Sequence, residues 1–350
     1  MRAMHKQRVG IFGANGFSGV ELVRLLGAHP GVELVQISSE QKAGQRFGAL
    51  FGPTGNPAVD TLRFETLQDA SSRLKDLDFV FLATPAEVSR ELSGRALEVG
   101  VRVVDLSGAH RLKDPGAALS HYGLEADPSP YGLTEWNREG IRSALRVANP
   151  GCYATAVSLG LLPLFRSGHL TRPEAFVSAV SGVSGAGRKA SEDYSFSQVD
   201  SDLRAYRSLD HQHSPEIEQA LSDFSGKQKP RIHFVPQLGG FHRGILAQAF
   251  VSVTPGLALE TLFECFVEAY AKEPFIELLP HAREVRLRDV VGTPFCRLGL
   301  ALDSKRGTAV VSVALDNLLK GAAGQAVQNF NVMAGLRESQ GLDHLRRFFS

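Results

Sequence analysis

The stretch from Arg8 to Ile37 constrains the fold of this chain more than any other. Arg8-Val-Gly-Ile-Phe12 is a short apolar strand. Gly13-Ala-Asn-Gly-Phe-Ser-Gly19 follows, Val20-Glu-Leu-Val-Arg-Leu-Leu26 runs at helical spacing, and Val32-Glu-Leu-Val-Gln-Ile37 is a second strand. Strand, glycine-rich turn, helix and strand in this order make the βαβ unit that seats a dinucleotide pyrophosphate. Glycines let the backbone approach the phosphates, and the helix N-terminus faces their negative charge. The spacing, Gly10-x-x-Gly13-x-x-Gly16-x-x-Gly19, is looser than G-x-G-x-x-G. Such a loop also makes a plain turn; its place between a strand and a helix is what favours a dinucleotide. The expected contacts are Gly13, Asn15, Gly16, Phe17, Ser18 and Gly19.

The end of the second strand bears on which dinucleotide. NAD sites carry an acidic residue there, bonded to the ribose hydroxyls. Here the strand runs into Ser38 and Ser39, with Lys42 and Arg46 close by, a set suited to a 2′-phosphate and hence to NADP(H). Glu40 points the other way, and the two cations also read as solvated loop charges. A further strand over Leu77–Ala83 ends at Thr84-Pro85, and one over Val101–Leu106 ends at Ser107-Gly-Ala-His-Arg111. The C-terminal ends of strands in open α/β sheets face the ligand crevice, so these residues are candidates too. Arg111 there suits a carboxylate or phosphate, or else a structural ion pair. Residues 112–146 read as an irregular connector with short elements.

At 350 residues the chain is too long for one small core, which predicts two domains. A net charge of +1 gives no bulk field for nucleic acid or an acidic membrane. No apolar run spans a bilayer, and no signal-type apolar stretch follows the basic first residues. Three widely spaced cysteines form neither a metal pattern nor a disulfide framework, so a reducing cytoplasm is expected, with no metal.

The second half opens on Asn149-Pro-Gly-Cys152 and an apolar, small-residue run that reads as a helix. A thiol in the first turn of a helix feels the positive end of the macrodipole, which favours the nucleophilic thiolate. A lone cysteine there also serves as a small buried residue. A strand over Ala175–Val180 leads into Ser181-Gly-Val-Ser-Gly-Ala-Gly-Arg-Lys189, whose amides, hydroxyls and charges suit a phosphate. Leu203-Arg-Ala-Tyr206 precedes His211-Gln-His-Ser-Pro-Glu216, where Ser214 reads as a helix N-cap and Pro215 as the first helical residue. In an extended segment His211 and His213 share a face. Either is a general acid/base, and Glu216 in the first turn can orient an imidazole. The rest reads as a helix over Leu257–Glu273, strands over His242–Thr254, Val285–Val291, Cys296–Leu302 and Thr308–Leu315, then a loop and helix from Asp316. Many strands and few helices imply a mixed, largely antiparallel sheet. Cys265 and Cys296 read as packing residues.

Taken together, Val147–Pro163, Val9–Leu22, Val104–Ser107 with Arg111, Ser181–Lys189, His211–Glu216, Arg243–Leu246 and Asp316–Asn331 resemble the N-acetyl-γ-glutamyl-phosphate reductases, with the aspartate-semialdehyde dehydrogenases as wider relatives. The resemblance implies an α/β fold: a Rossmann-like NADP-binding domain over residues 1–151, completed by a C-terminal helix over 317–350, and an α+β catalytic domain over 152–316. It implies Cys152 as nucleophile through a thioester, with His211, His213 and Glu216 as the acid/base group. Cofactor contacts would extend from the turn residues to Ser38, Ser39, Thr84, Pro85, Ser184, Gly185 and Asn317. Ser107, Arg111, Asn149, Arg188 and Tyr206 would bind substrate. The implied reaction is NADPH-dependent reduction of N-acetyl-L-glutamyl 5-phosphate to the semialdehyde and phosphate, in a cytoplasmic homo-oligomer, dimer or tetramer, without nucleic acid or membrane. Asn149-Pro150 favours this substrate over aspartyl phosphate or the carrier-linked substrate of a sister family. Glu40, standing where the family commonly has arginine, departs from the pattern.

Overall fold

A computed structural model describes residues 6–188, 191–226 and 229–345. The chain's first five residues, Lys189 of the glycine-rich loop and residues 346–350 of the expected C-terminal helix lie outside these. Two compact units emerge. One holds the described residues up to Pro150 together with Ala322–His344; the other holds Gly151–Gly321.

The first unit is built on β1 (Gln7–Phe12), β2 (Val32–Ser38), β3 (Phe64–Glu65), β4 (Phe79–Leu82), β5 (Arg102–Asp105) and β6 (Arg146–Ala148). They form a six-stranded sheet in the order β3-β2-β1-β4-β5-β6, parallel throughout. This is the doubly wound arrangement, with its ligand crevice at the C-terminal strand ends. All four residues of β4 are buried, which explains its unbroken apolar run: a parallel sheet is covered on both faces. Helix α1 (Phe17–Gly27) buries Val20, Leu22, Val23, Leu25 and Leu26, and α2 (Ala86–Glu98) buries Leu92 and Ala96. The region read as an irregular connector holds two helices, Pro115–Tyr122 and Thr134–Arg142, and then β6.

The second unit holds α3 (Cys152–Ser167), β7 (Leu170–Gly182), β8 (Leu203–Ala205), α4 (His213–Ser225), β9 (Arg231–Gly239), β10 (Ile245–Val253), α5 (Leu259–Tyr270), β11 (Ile276–Leu279), β12 (Cys296–Asp303) and β13 (Thr308–Leu315). Its sheet has seven strands in the order β11-β12-β13-β10-β7-β9-β8. β7 with β9 and β11 with β12 are parallel; the other neighbours are antiparallel. β10 alternates between buried and more exposed residues, so this sheet is covered on one face.

α3 is buried along nearly its whole length although Pro163 lies inside it. Proline has no N–H, so the Leu159 carbonyl four residues earlier loses its helical donor. The Tyr270 hydroxyl, at the end of α5, donates to that carbonyl at 2.6 Å. A buried carbonyl left unpaired would cost ~1–3 kcal/mol.

Three local expectations are corrected. Val285–Val291 is not a strand but two 3-10 turns, Ala282–Glu284 and Leu287–Asp289. The alternation that suggested a strand stops at Leu287; Leu287, Val290 and Val291 then follow helical spacing, and Leu287 and Val290 pack with Val285 and Ala314. The C-terminal helix is shorter than expected: α6 (Gly324–Met333) follows a π-helical turn over Leu319–Ala323 and ends before Gly335, whose φ of +68° leaves the helical region. Third, α4 begins at His213 with Gln212 as its N-cap residue, in place of the expected Pro215 and Ser214. Among the described residues no helix is long and apolar enough to cross a membrane.

Candidate active site

In the first unit the glycine-rich turn is held open by two positions that admit nothing larger. Gly13 has φ +80°, and a Cβ on it would stand 2.3 Å from the Ala83 carbonyl oxygen; one on Gly19 would stand 2.3 Å from the Gly13 carbonyl oxygen. Gly16 is different. Its φ of −68° suits any residue, and the closest atom to its imagined Cβ is Gly13 O at 3.5 Å. Protein packing does not require glycine there, and the space beside it admits the close approach of a ligand. Gly16 is also the N-cap residue of α1, and among the described residues no side chain caps that helix and no acid lies in its first turn. The result is a helix N-terminus open to an anion.

Ser38 ends β2 with its Oγ buried and without a hydrogen-bond partner among the described residues. A buried orphan hydroxyl at this strand end fits a ribose or its phosphate. Glu40, the departure from the family pattern, is spent elsewhere: its carboxylate accepts the Leu67 amide at 2.5 Å. Asn15 reaches Gln41 at 3.4 Å, tying the glycine turn to the segment after β2. Arg46 bridges Arg63, whose place just before β3 lies back from the strand ends where Ser38 sits. Thr84 bonds Ser89 at 2.8 Å, and Pro85 caps α2. These residues can hold an NADP pyrophosphate and ribose.

Three expected substrate residues are tied into their own unit. The Ser107 hydroxyl donates to Asp105 at 2.9 Å and accepts the Ala109 amide. Arg111 is buried and donates to the carbonyls of Asn149 at 2.8 Å and Leu106 at 2.6 Å. Asn149 is buried too; its side chain accepts from Asn329 at 3.0 Å and donates to the Ala322 carbonyl at 3.3 Å.

In the second unit Cys152 is the first residue of α3, half-buried, with Gly151 as N-cap residue. Among the described residues no side chain caps this helix and its first turn holds no acid. The thiol therefore meets the positive end of sixteen residues of aligned peptide dipoles. Gly151 donates its amide to Glu216 Oε1 at 2.8 Å. A Cβ on Gly151 would lie 2.1 Å from His213 Nε2, and one on Gly321 would lie 2.8 Å from the Cys152 Cβ. Glu216 and His213 thus converge on the residue before the nucleophile, and Gly321 packs on the nucleophile itself.

The His-Gln-His segment is a turn, with Gln212 in helical conformation, so the two rings do not share an extended face. They meet edge-on, 4.7 Å between centroids. The His213 amide donates to His211 Nδ1 at 3.2 Å, which leaves the neutral His211 proton on Nε2. His211 and Tyr206 line a cleft of about 660 Å³ with Ser181, Gly185, Arg204 and Arg207. Arg204 and Arg207 had given no signal in the sequence, since isolated loop arginines are usually solvated. Tyr153 was missed as well. Its buried ring packs edge-on against His211 and His213, and its hydroxyl donates to the Gln237 carbonyl at 2.9 Å. Burial pushes the Tyr206 phenol up to about 12, with the Cys152 thiolate adding to the shift, and burial drives Tyr153 still higher.

Ser184 and Asn317 meet: the Asn317 side chain donates to Ser184 Oγ at 3.0 Å and accepts the Gly244 amide at 2.6 Å. Arg243 donates to buried Asp316 at 2.9 Å, fixing the same corner. Arg188 is exposed at the end of its loop.

Comparison with known proteins places the chain in a family. Residues 8–144 match the model of the semialdehyde dehydrogenase NAD binding domain, and residues 152–317 that of the semialdehyde dehydrogenase dimerisation domain. The chain is 39% identical to an N-acetyl-gamma-glutamyl-phosphate reductase of Bacillus cereus over 344 residues, covering 97% of this chain and 99% of the relative. It is 41% identical to one of Geobacillus stearothermophilus, covering 96% and 98%. Among solved structures it resembles aspartate semialdehyde dehydrogenase II from Vibrio cholerae, complexed with ASA, with TM-score 0.74, 19% identity and coverage of 95% and 99%. It also resembles aspartate semialdehyde dehydrogenase with NADP from Candida albicans, with TM-score 0.72, 16% identity and coverage of 94% and 98%. At these identities the structural likenesses speak to fold alone.

Proposed function

The chain belongs to the N-acetyl-gamma-glutamyl-phosphate reductase family, and from that premise we propose how its own residues divide the NADPH-dependent reduction of N-acetyl-L-glutamyl 5-phosphate to the 5-semialdehyde and phosphate, a step of arginine biosynthesis. The observation that carries the reading is the Cys152 thiol at the uncapped start of α3, with His213 and Glu216 converging on Gly151 beside it.

Cys152 attacks the acyl carbon as a thiolate; the C–O bond to phosphate breaks and a thioester forms. When bound, NADPH supplies the hydride that reduces this thioester. The carbon–sulfur bond then breaks, the aldehyde leaves and the thiolate is regenerated. A histidine handles the proton on the substrate oxygen. His213 is our choice, because its Nε2 stands over Gly151 while the Nδ1 of His211 is taken by an amide. His211 is then a wall of the cleft with Tyr206, and Arg204 and Arg207 meet substrate charge. Splitting acyl transfer from reduction replaces one hard step by two easier ones. The open N-terminus of α1, Gly16 and Ser38 would hold the cofactor's phosphates and ribose.

We also propose that the chain self-associates through the region matching the dimerisation domain, and that it works in the cytoplasm; three free cysteines support a reducing compartment. The assay is phosphate-dependent reduction of NADP with N-acetylglutamate semialdehyde. Turnover with that aldehyde, and little with aspartate semialdehyde or a carrier-linked homologue, is expected. A preference for either alternative would overturn the substrate assignment.

A further inference from the structure

β13 ends at Leu315, and the side chain that follows it, Asp316, is fully buried. Its Oδ1 accepts Arg243 Nη2 at 2.9 Å and the amides of Leu318 at 2.9 Å and Leu319 at 3.1 Å. Its Oδ2 accepts the Gly292 amide at 2.6 Å. The guanidinium offsets the buried charge, and the amides satisfy the lone pairs that remain. These donors come from separate places in the second unit. Arg243 stands just before β10, Gly292 just after the 3-10 turn at Leu287–Asp289, and Leu318 and Leu319 at the π-helical turn.

That turn is wider than an α-helical one. In an α-helix the Asp316 carbonyl would accept the amide of Lys320, four residues on. It accepts the Gly321 amide instead, five residues on, at 2.9 Å. Such turns are rare and concentrate at functional sites. Here the extra residue sets Gly321 against the nucleophile, where a Cβ would stand 2.8 Å from Cys152 Cβ and 3.2 Å from its Cα. The Lys320 ammonium lies over the Phe275 ring, 5.7 Å from its centroid.

We infer that Asp316 is a positioning residue for the Cys152 thiol, acting through Gly321. The inference rests on the nucleophile reading above and adds the residue that fixes where the nucleophile stands. The Cys152 Cα and Cβ press on Gly321, so the sulfur sits where that backbone lets it. Gly321 is held by the Asp316 carbonyl, and the start of its turn by the Asp316 carboxylate. Arg243 and Gly292 hold the carboxylate in turn. Two buried carboxylates therefore bracket the thiol: Glu216 holds the residue before it, and Asp316 the residue packed against it.

The test is alkylation of the full chain by iodoacetamide, read cysteine by cysteine through peptide mass spectrometry, with buried Cys296 as internal reference. Asp316→Asn keeps the shape of the side chain and removes its charge. Gly321→Ala reads the same contact from the other end, and stays informative where the Asn variant does not fold. In each, alkylation of Cys152 should slow by about tenfold or more and kcat should fall by ~10²-fold, as the sulfur leaves its seat. KM for NADPH should hold, and Cys296 should label as in the unaltered chain. An Asn variant with unchanged Cys152 labelling and kcat would overturn the role of Asp316; an Ala variant with both unchanged would overturn the contact through which it acts. A fall in kcat accompanied by faster Cys296 labelling would make Asp316 a support of the fold and overturn the assignment. Near-normal turnover of Cys152→Ser would instead overturn the nucleophile reading itself, a result on which the labelling does not depend.

Discussion

The Gly151 amide donates to the Glu216 carboxylate at 2.8 Å, so the residue before the nucleophile is held by the first turn of a helix sixty-odd residues downstream. The distance between Gly151 and Cys152 is fixed by the chain. Anything that moves Gly151 therefore moves the thiol.

Glu216→Ala leaves that amide buried without an acceptor and should cost ~1–3 kcal/mol of stability. Glu216→Gln keeps an acceptor oxygen, and its urea midpoint should stay close to that of the unaltered chain. If the carboxylate charge also orients an imidazole, kcat of the Gln variant should still fall. Recovery of both stability and kcat by Gln would reduce Glu216 to a tether.

Gly151→Ala meets no backbone strain, because φ is −69°, but its new methyl enters the space of His213 Nε2. The imidazole must swing away. Displacing a catalytic group by ~1 Å costs about 10²-fold in rate, and kcat should fall by that order while the melting temperature changes little. A normal kcat would remove His213 from the proton transfer.

Cys152→Ser should lower turnover by ~10⁴-fold or more, as loss of a nucleophile does elsewhere. NADPH binding, followed by fluorescence titration, should be nearly intact, since the predicted cofactor cradle is built on α1 and β2. Near-normal turnover would rule out the thioester.

Gly16→Ala separates cofactor approach from folding. With 3.5 Å to the nearest atom the methyl is accommodated, so thermal melting should barely shift, while KM for NADPH should rise about tenfold or more. An unchanged KM would mean that the pyrophosphate does not lie against this turn.

Tyr206 sets an alkaline signature. Its phenol is pushed up to about 12 in the folded chain, above the ordinary value near 10. Below pH ~10 both states keep the proton and stability is flat. Above it the unfolded chain loses the proton first, so stability falls as the pH rises toward 12. Tyr206→Phe should flatten the decline of the urea midpoint between pH 10 and 12, and should leave the rate profile below pH 9 without a change of shape.

The first unit was legible because its physics is local. A parallel sheet buried on both faces writes itself as apolar runs such as Phe79–Leu82, and Gly13 and Gly19 stand where backbone passes too close for a Cβ. The thiol of Cys152 was legible from its place after Pro150-Gly151. The partners around it were less so. The meeting of His213 with Gly151, and of Gly321 with Cys152, depends on long-range packing that leaves no spacing in the sequence. Tyr153 reads as one more apolar residue of a buried helix until both histidines are seen packed edge-on against its ring. Val285–Val291 misled because three residues of alternation are too few to tell a strand from a turn. Glu40 looked like an argument against NADP until its carboxylate was found on the Leu67 amide.

Pro163 gives the helix of the nucleophile a history. Its hydrogen-bond ladder is incomplete as encoded, and the missing rung comes from Tyr270, 111 residues beyond the Leu159 carbonyl it satisfies. On the ribosome α3 emerges well before the residue that finishes it. The thiol is thus carried by a helix whose final bond must wait for α5 to be made and docked, so the reactive centre matures with the domain instead of ahead of it.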